Sequence, residues 1–148
     1  MLMIAIPRDK RLLNKPRQIY HVNGRDYALA GNEVFITLPD EVHGTAGRPQ
    51  EPGELYWMHV RLPRPGKPFL CLSPRESAPL VEALGSLRRR TFAGSTKAYA
   101  LFEKMFALLR NPDYPLIKVA LSAHLIELFL LLLDCAGKEA KTRSEGMD

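Results

Sequence analysis

Short apolar runs alternate with turn residues through the first half of the chain, a pattern typical of β-strands. Ten of the twelve prolines come before residue 80. The pattern predicts strands over 17–22, 25–29, 33–38, 54–62 and 69–72, a tight hairpin turn at Asn23-Gly24 and a loop over 43–53. Short strands at this spacing, separated by glycine and proline turns, predict a sandwich or a small barrel.

At Ser73 the apolar period changes to that of helices. Ser73-Pro74-Arg75-Glu76 has the form of a capping box with proline at the first helical position, so a helix should begin there and end near Gly85. A second helix is predicted from Ser95 to Arg110, with a single apolar face. A third is predicted over 113–137, ending at Gly137.

The third helix is apolar nearly all round, which indicates burial on more than one side. One side should face its own domain. The apolar character of its other side predicts a homodimer contact around Leu116–Leu133. The alternative is that this helix is a central core helix in a monomer.

These changes along the chain predict an α+β protein in four segments. An N-terminal arm occupies 1–16, a β-rich unit 17–72, a helical segment 73–137, and a linker or disordered tail 138–148. The arm is basic and is a candidate for a moving part.

Composition and charge narrow the class of protein. With 148 residues, 46% apolar and 25% charged, the chain is an ordinary globular domain. Its net charge of +5 is carried mainly by the arm and by Arg88–Arg90, rather than by one recognition surface. We interpret Arg88–Arg90 as a solvated end. This disfavours direct nucleic-acid binding. Cys71 and Cys135 lack metal-site spacing and are interpreted as buried thiols of a reducing compartment.

The N-terminus has no signal-peptide pattern, and the longest apolar run, Leu128–Leu133, is much shorter than a membrane span. We therefore expect a soluble, cytoplasmic protein.

Motifs for catalysis are sparse. The chain has no glycine-rich phosphate loop, no nucleophile elbow and no zinc-protease helix motif. His21, His43 and His59 could converge on a metal if the sheet curls, which would give a small metal-dependent isomerase or dioxygenase. No His-x-His pair supports that alternative, so we expect no metal and no cofactor.

The strand over 54–62 has two different faces. Alternation places Leu55, Trp57, His59 and Arg61 on one face, and a plain apolar set on the other. The first set suits a polar or anionic small molecule, through stacking on the indole and a charge-assisted hydrogen bond from the guanidinium. The alternative is an outward face in water.

The segment GNEVFITLPDEVH, residues 31–43, resembles the second conserved motif of cupins, in the form used by the N-terminal domains of AraC-family transcription regulators. ELYWMHVRL at 54–62 resembles the strand that follows it. The helix ending PLIKVALSAHLIELFLLLL is similar to the helices by which these domains dimerise. The resemblance covers about residues 17–137.

This resemblance implies a cupin-like β-barrel or jelly roll followed by about three helices. It further implies a pocket for a small-molecule effector, whose candidate ligand-binding residues are His43, Trp57, His59, Arg61 and His21. The first cupin motif has no match here, so metal-dependent catalysis is not expected. The paired helix-turn-helix domain of the family has no counterpart either. We expect an excised sensing domain or a stand-alone relative, with DNA contacted only through a C-terminal domain absent from this chain.

Overall fold

Two antiparallel sheets and three helices form the protein in the computed structural model, which describes residues 1–8, 18–45, 47 and 54–146. The strands are β1 (Leu2–Pro7), β2 (Gln18–Val22), β3 (Arg25–Leu29), β4 (Glu33–Thr37), β5 (His43–Gly44), β6 (Leu55–Val60) and β7 (Thr91–Ala93). Sheet 1 has the order β6-β1-β4-β7, and sheet 2 has the order β3-β2-β5. Within the described residues these are two separate sheets rather than one closed barrel. The α+β, cupin-like fold class is confirmed.

The first residues of the predicted arm are a central strand instead. All six residues of β1 are buried, and β1 pairs with β4 on one side and with β6 on the other. A strand covered on both faces reads as a continuous apolar run without alternation, so its period gives no strand signal. The prediction of an arm over 1–16 is therefore wrong for residues 2–7. Residues 9–16 lie outside the described residues.

Sheet 1 separates two apolar cores. Leu2, Ile4 and Ile6 face the helices, and their core also contains Val34, Ile36, Phe102, Leu128 and Phe129. Met3 and Ala5 face sheet 2, where the buried residues include Tyr20, Val22, Leu29 and Phe35. Tyr20 stacks on Phe35 with ring centroids 4.6 Å apart. The two sheets therefore close on an aromatic core, as in a sandwich.

The helices are α1 (Pro74–Gly85), α2 (Lys97–Leu109) and α3 (Ile117–Glu145). The Ser73 hydroxyl accepts a hydrogen bond of 3.2 Å from the Glu76 amide, so the predicted cap is confirmed. The predicted end of the third helix at Gly137 is wrong, because α3 continues for two more turns. The Glu139 carboxylate lies 3.3 Å from Arg89 and accepts a hydrogen bond of 3.1 Å from the Ala93 amide of β7, which holds those turns against the sheet. Lys138 also pairs with Asp134 at 2.8 Å, but both side chains are exposed and this pair contributes little.

The predicted strand at 69–72 is a tight turn. Phe69 and Leu72 exchange two backbone hydrogen bonds of 2.9 and 3.2 Å, and Leu70 and Cys71 both have positive φ angles, of 51° and 62°. That is the geometry of a type I′ turn, in which Asn-Gly is the usual pair. Phe69 stacks near Phe129 of α3, with ring centroids 6.3 Å apart. Packing on α3 thus overrides the strand preference of this apolar run.

Helix α3 is long and apolar enough to cross a bilayer when judged by length and composition alone, with a mean hydropathy of 1.9 within Ile117–Thr142. This is weak evidence for a membrane span, because the core helix of a soluble protein meets the same criterion. Leu128, Phe129 and Leu132 are fully buried in the helical core.

Candidate functional site

A sharp turn carries the chain from sheet 1 to sheet 2 directly after β4. The Glu41 amide donates to the Leu38 carbonyl oxygen at 3.4 Å, with Pro39 and Asp40 between them and a φ of 67° at Asp40. Proline followed by a residue with positive φ is the signature of a type II turn. The Glu41 carboxylate closes the turn by accepting from the Leu38 amide at 2.8 Å. His43 then begins β5, where it pairs with Val22 of β2.

Strand β6 presents Trp57 and His59 toward the space between the sheets. In the register of sheet 1, Trp57 is opposite Ala5 and His59 is opposite Met3, and directly opposed residues share a face. Met3 and Ala5 belong to the core between the sheets. Tyr56 is buried on the opposite face, against the helices. The face of β6 that carries Trp57 and His59 therefore lies on the inner side of sheet 1, at the open edge of that sheet.

Three of the predicted site residues come together at this edge. The rings of His43 and His59 have centroids 6.4 Å apart, and Trp57 meets His59 edge to face at 5.2 Å. The indole is 58% exposed. An open depression of about 400 Å³ lies beside them. We call it the histidine depression, and it is lined by Met1, Asp40, Glu41, Val42, His43 and His59.

The hydrogen bond of His43 fixes which of its nitrogens is free. Nδ1 lies 3.2 Å from the carbonyl oxygen of Glu41. A carbonyl oxygen only accepts, so Nδ1 carries the proton in this contact, and Nε2 of the neutral ring remains an acceptor. The edge of the two sheets thus offers an imidazole acceptor and an exposed aromatic face close together.

His21 and Arg61 do not line the histidine depression. Tyr20 and Val22 face the core between the sheets, so His21 points to the outer face of sheet 2, where its Nδ1 lies 2.7 Å from a carboxylate oxygen of Asp26. Arg61 follows the end of β6 and is exposed.

A metal centre built from His21, His43 and His59 is not supported, because the first ring lies on the opposite face from the other two. In the part of the chain that the structure describes, His, Cys, Asp and Glu form no group of three able to hold a metal ion.

The basic run Arg88–Arg90 is only in part the solvated end predicted from the sequence, because Arg88 is exposed whereas Arg89 and Arg90 are half-buried and paired. Arg90 forms an ion pair with Glu41, and the two side chains are only 14% and 15% exposed. Arg89 lies 3.3 Å from the Glu139 carboxylate on α3. Sequence spacing carries no signal for an ion pair such as this one, because Glu41 and Arg90 are 49 residues apart. Only the turn chemistry of Pro39-Asp40-Glu41 could have marked Glu41 as structural.

A second polar cluster lies on the helix side of β6. The Tyr56 hydroxyl donates to Glu103 of α2 at 2.5 Å, and the Arg8 guanidinium lies 2.9 Å from Glu54 and 5.9 Å from the centre of the Tyr56 ring. Burial, followed by the hydrogen bond to Glu103, raises the pKa of Tyr56 to about 12. This cluster joins β6 to α2 and leaves the tyrosine a hydrogen-bond donor at neutral pH.

Comparison with known proteins gives one family. The AraC-like ligand binding domain matches residues 17–129, about three quarters of the chain. Neither the curated proteins nor the solved structures gave a match. The matched span runs from the residue before β2 into α3, and it includes His43, Trp57 and His59 but not β1. The chain therefore belongs to the family of AraC-like ligand-binding domains.

Proposed function

We propose that the protein is the effector-sensing and dimerisation domain of an AraC-type transcription regulator, and that its effector binds at the histidine depression. The observation that supports this site is the convergence of His43, Trp57 and His59 from two strands of different sheets. A ligand held there would contact both sheets at once. Binding could thereby favour one arrangement of the domain over another.

The chemistry of the edge defines the kind of effector. The exposed indole of Trp57 offers a face on which a flat apolar group can stack, and the two imidazoles can exchange hydrogen bonds with a polar group. Arg61, two residues after His59, could reach an anionic group at the rim. We therefore propose a small, partly flat molecule with a polar or anionic end. His21 is not included, because it faces outward.

Intrinsic fluorescence tests this site directly, since Trp57 is the only tryptophan of the chain. A small-molecule library is screened for compounds that change the Trp57 emission. Hits should lose most of their affinity in His43→Ala and in His59→Ala. His21→Ala is the matched control, because it removes an imidazole from the outer face. Binding that survives both test substitutions would refute the site.

We also propose that the exposed side of α3 pairs with a second copy of the chain. Apolar residues recur there at alternating spacings of three and four, the pattern of a helix–helix seam. They are Leu116, Val119, Ala123, Ile126, Leu130 and Leu133. Leu116, Val119 and Leu130 are 57–58% exposed. Burying such side chains would stabilise a dimer by roughly 1.5–3 kcal/mol each before association costs.

Light scattering across protein concentrations tests the pairing. The unmodified chain should scatter as a dimer, with twice the chain mass of 16.7 kDa. The Leu130→Asp variant should scatter as a monomer. Val42→Asp is the control, since Val42 is an exposed aliphatic residue that does not belong to α3. A chain that remains monomeric at all concentrations would refute the seam.

DNA is proposed as a partner only through a helix-turn-helix domain joined to α3, with the regulator acting in the cytoplasm. No enzymatic activity is proposed. A metal-dependent cupin reaction would need ligands beyond His43 and His59, and elemental analysis of purified protein showing a stoichiometric transition metal would reverse this conclusion.

A further inference from the structure

We propose that the ion pair between Glu41 and Arg90 couples the histidine depression to the last turns of α3. The two sites would then influence each other in both directions, as coupled sites must. This inference rests on the proposed function for the biological role of the coupling. Its test needs no effector and does not depend on the proposed function.

Glu41 connects the depression to the rest of the fold. Its carbonyl oxygen holds Nδ1 of His43, and its carboxylate accepts from the Leu38 amide and, at 3.3 Å, from the side chain of Asn23 in the β2–β3 turn. The same carboxylate binds the Arg90 guanidinium. A displacement of His43 by a ligand would therefore move the backbone that positions this carboxylate.

Arg90 carries the connection onward to α3. Its carbonyl oxygen accepts from the Ile36 amide at 2.8 Å, which fixes Arg90 beside β4 at the start of β7. The neighbouring Arg89 lies 3.3 Å from Glu139, and the same Glu139 oxygen accepts from the Ala93 amide at 3.1 Å. Glu139 thus binds Arg89, which precedes the short strand β7, and Ala93, the last residue of that strand.

The pair is suited to this role because it is largely covered. Ion pairs in covered sites depend strongly on geometry, since displacement leaves a desolvated charge without its partner. A small displacement of Glu41 should therefore disturb this pair more than it would disturb an exposed pair. The pair between Asp134 and Lys138 on α3 is much less sensitive to geometry, since these side chains are 58% and 75% exposed.

The test uses the full chain without any effector and measures each end while the other is changed. In Glu139→Gln, the imidazole proton signals of His43 should shift in NMR spectra, and those of His21 should not. Asp134→Asn is the matched control on α3 and should leave both unchanged. In Glu41→Gln, hydrogen exchange of the 138–145 amides should speed up by about fivefold or more, the lower limit of typical coupling.

Arg90→Lys provides a second variant that keeps the charge, should Glu41→Gln fold poorly. Arg90→Lys should also speed up hydrogen exchange of the 138–145 amides. It should shift the His43 imidazole signals less than Glu41→Gln does. Unchanged His43 signals in Glu139→Gln, or equal changes in Asp134→Asn, would overturn the proposal. Because no effector is involved, such a failure is separate from the failure of the fluorescence screen, which bears on the site alone.

Discussion

Removing the Glu41 carboxylate should destabilise the fold far more than removing an exposed acid. Glu41→Ala leaves the Arg90 guanidinium, 14% exposed, without its counter-charge and the Leu38 amide without its acceptor. Breaking one partner of a buried ion pair costs about 3–5 kcal/mol. Because some exposure remains, we expect the lower end, about 3 kcal/mol, which for a chain of this size lowers Tm by about 6–12 °C.

A double-mutant cycle distinguishes the interaction energy between Glu41 and Arg90 from the contribution that each side chain makes by itself. Arg90→Met alone should cost about 2 kcal/mol, since Glu41 keeps its bonds to Leu38 and Asn23. Combining Glu41→Ala with Arg90→Met should cost about 3 kcal/mol, well below the sum of about 5 kcal/mol for the two single variants, because the Arg90 charge is then no longer left unpaired. Urea denaturation followed by the helical circular dichroism signal gives each free energy of unfolding.

The control for this cycle is Asp134→Asn, which removes an exposed carboxylate from α3 and should change the free energy of unfolding by less than about 0.5 kcal/mol. If the double variant lost as much as the two single variants summed, the side chains would be acting independently and the reasoning would be refuted.

Three further predictions concern the rest of the fold. Tyr56 should ionise near pH 12 in an absorbance titration at alkaline pH, and Tyr56→Phe should remove that late step. Because the pKa of Tyr56 is raised in the folded protein, the contribution of this side chain to stability is complete below pH 10 and is lost as the pH rises toward 12. Ser73→Ala should cost about 1 kcal/mol in urea denaturation by removing the cap of α1, and no loss would mean that the 3.2 Å bond to Glu76 is not formed in solution. Phe129→Ala should cost about 3–5 kcal/mol in the same assay, because the ring is fully buried; a loss below 1 kcal/mol would contradict its place in the core.

Sequence patterns located the elements that local chemistry determines. Asn23-Gly24 marked the β2–β3 hairpin, and both residues have the positive φ that the turn requires. Ser73-Pro74 marked the start of α1 for an equally local reason. In contrast, β1 was missed because a strand buried on both faces has no alternation. The end of α3 was misplaced because contacts with β7 outweigh the local effect of Gly137.

The candidate site was predictable only residue by residue. His43, Trp57 and His59 could be chosen from turn and strand patterns, but their convergence depends on the register that places Trp57 opposite Ala5 and on the pairing of β5 with β2. Glu41 and Arg90 were missed because ion pairs between distant segments leave no trace in sequence spacing.

Strand β1 has a consequence for how this domain is divided. It lies before the residues that match the family, yet β4 and β6 both pair with it. A fragment cut to residues 17–129 would lose the strand that joins them, leaving β6 without its sheet and exposing both cores to water. Trp57 and His59 would then have no fixed position relative to His43. Any fragment made to test the proposed effector site should therefore keep residues 2–7.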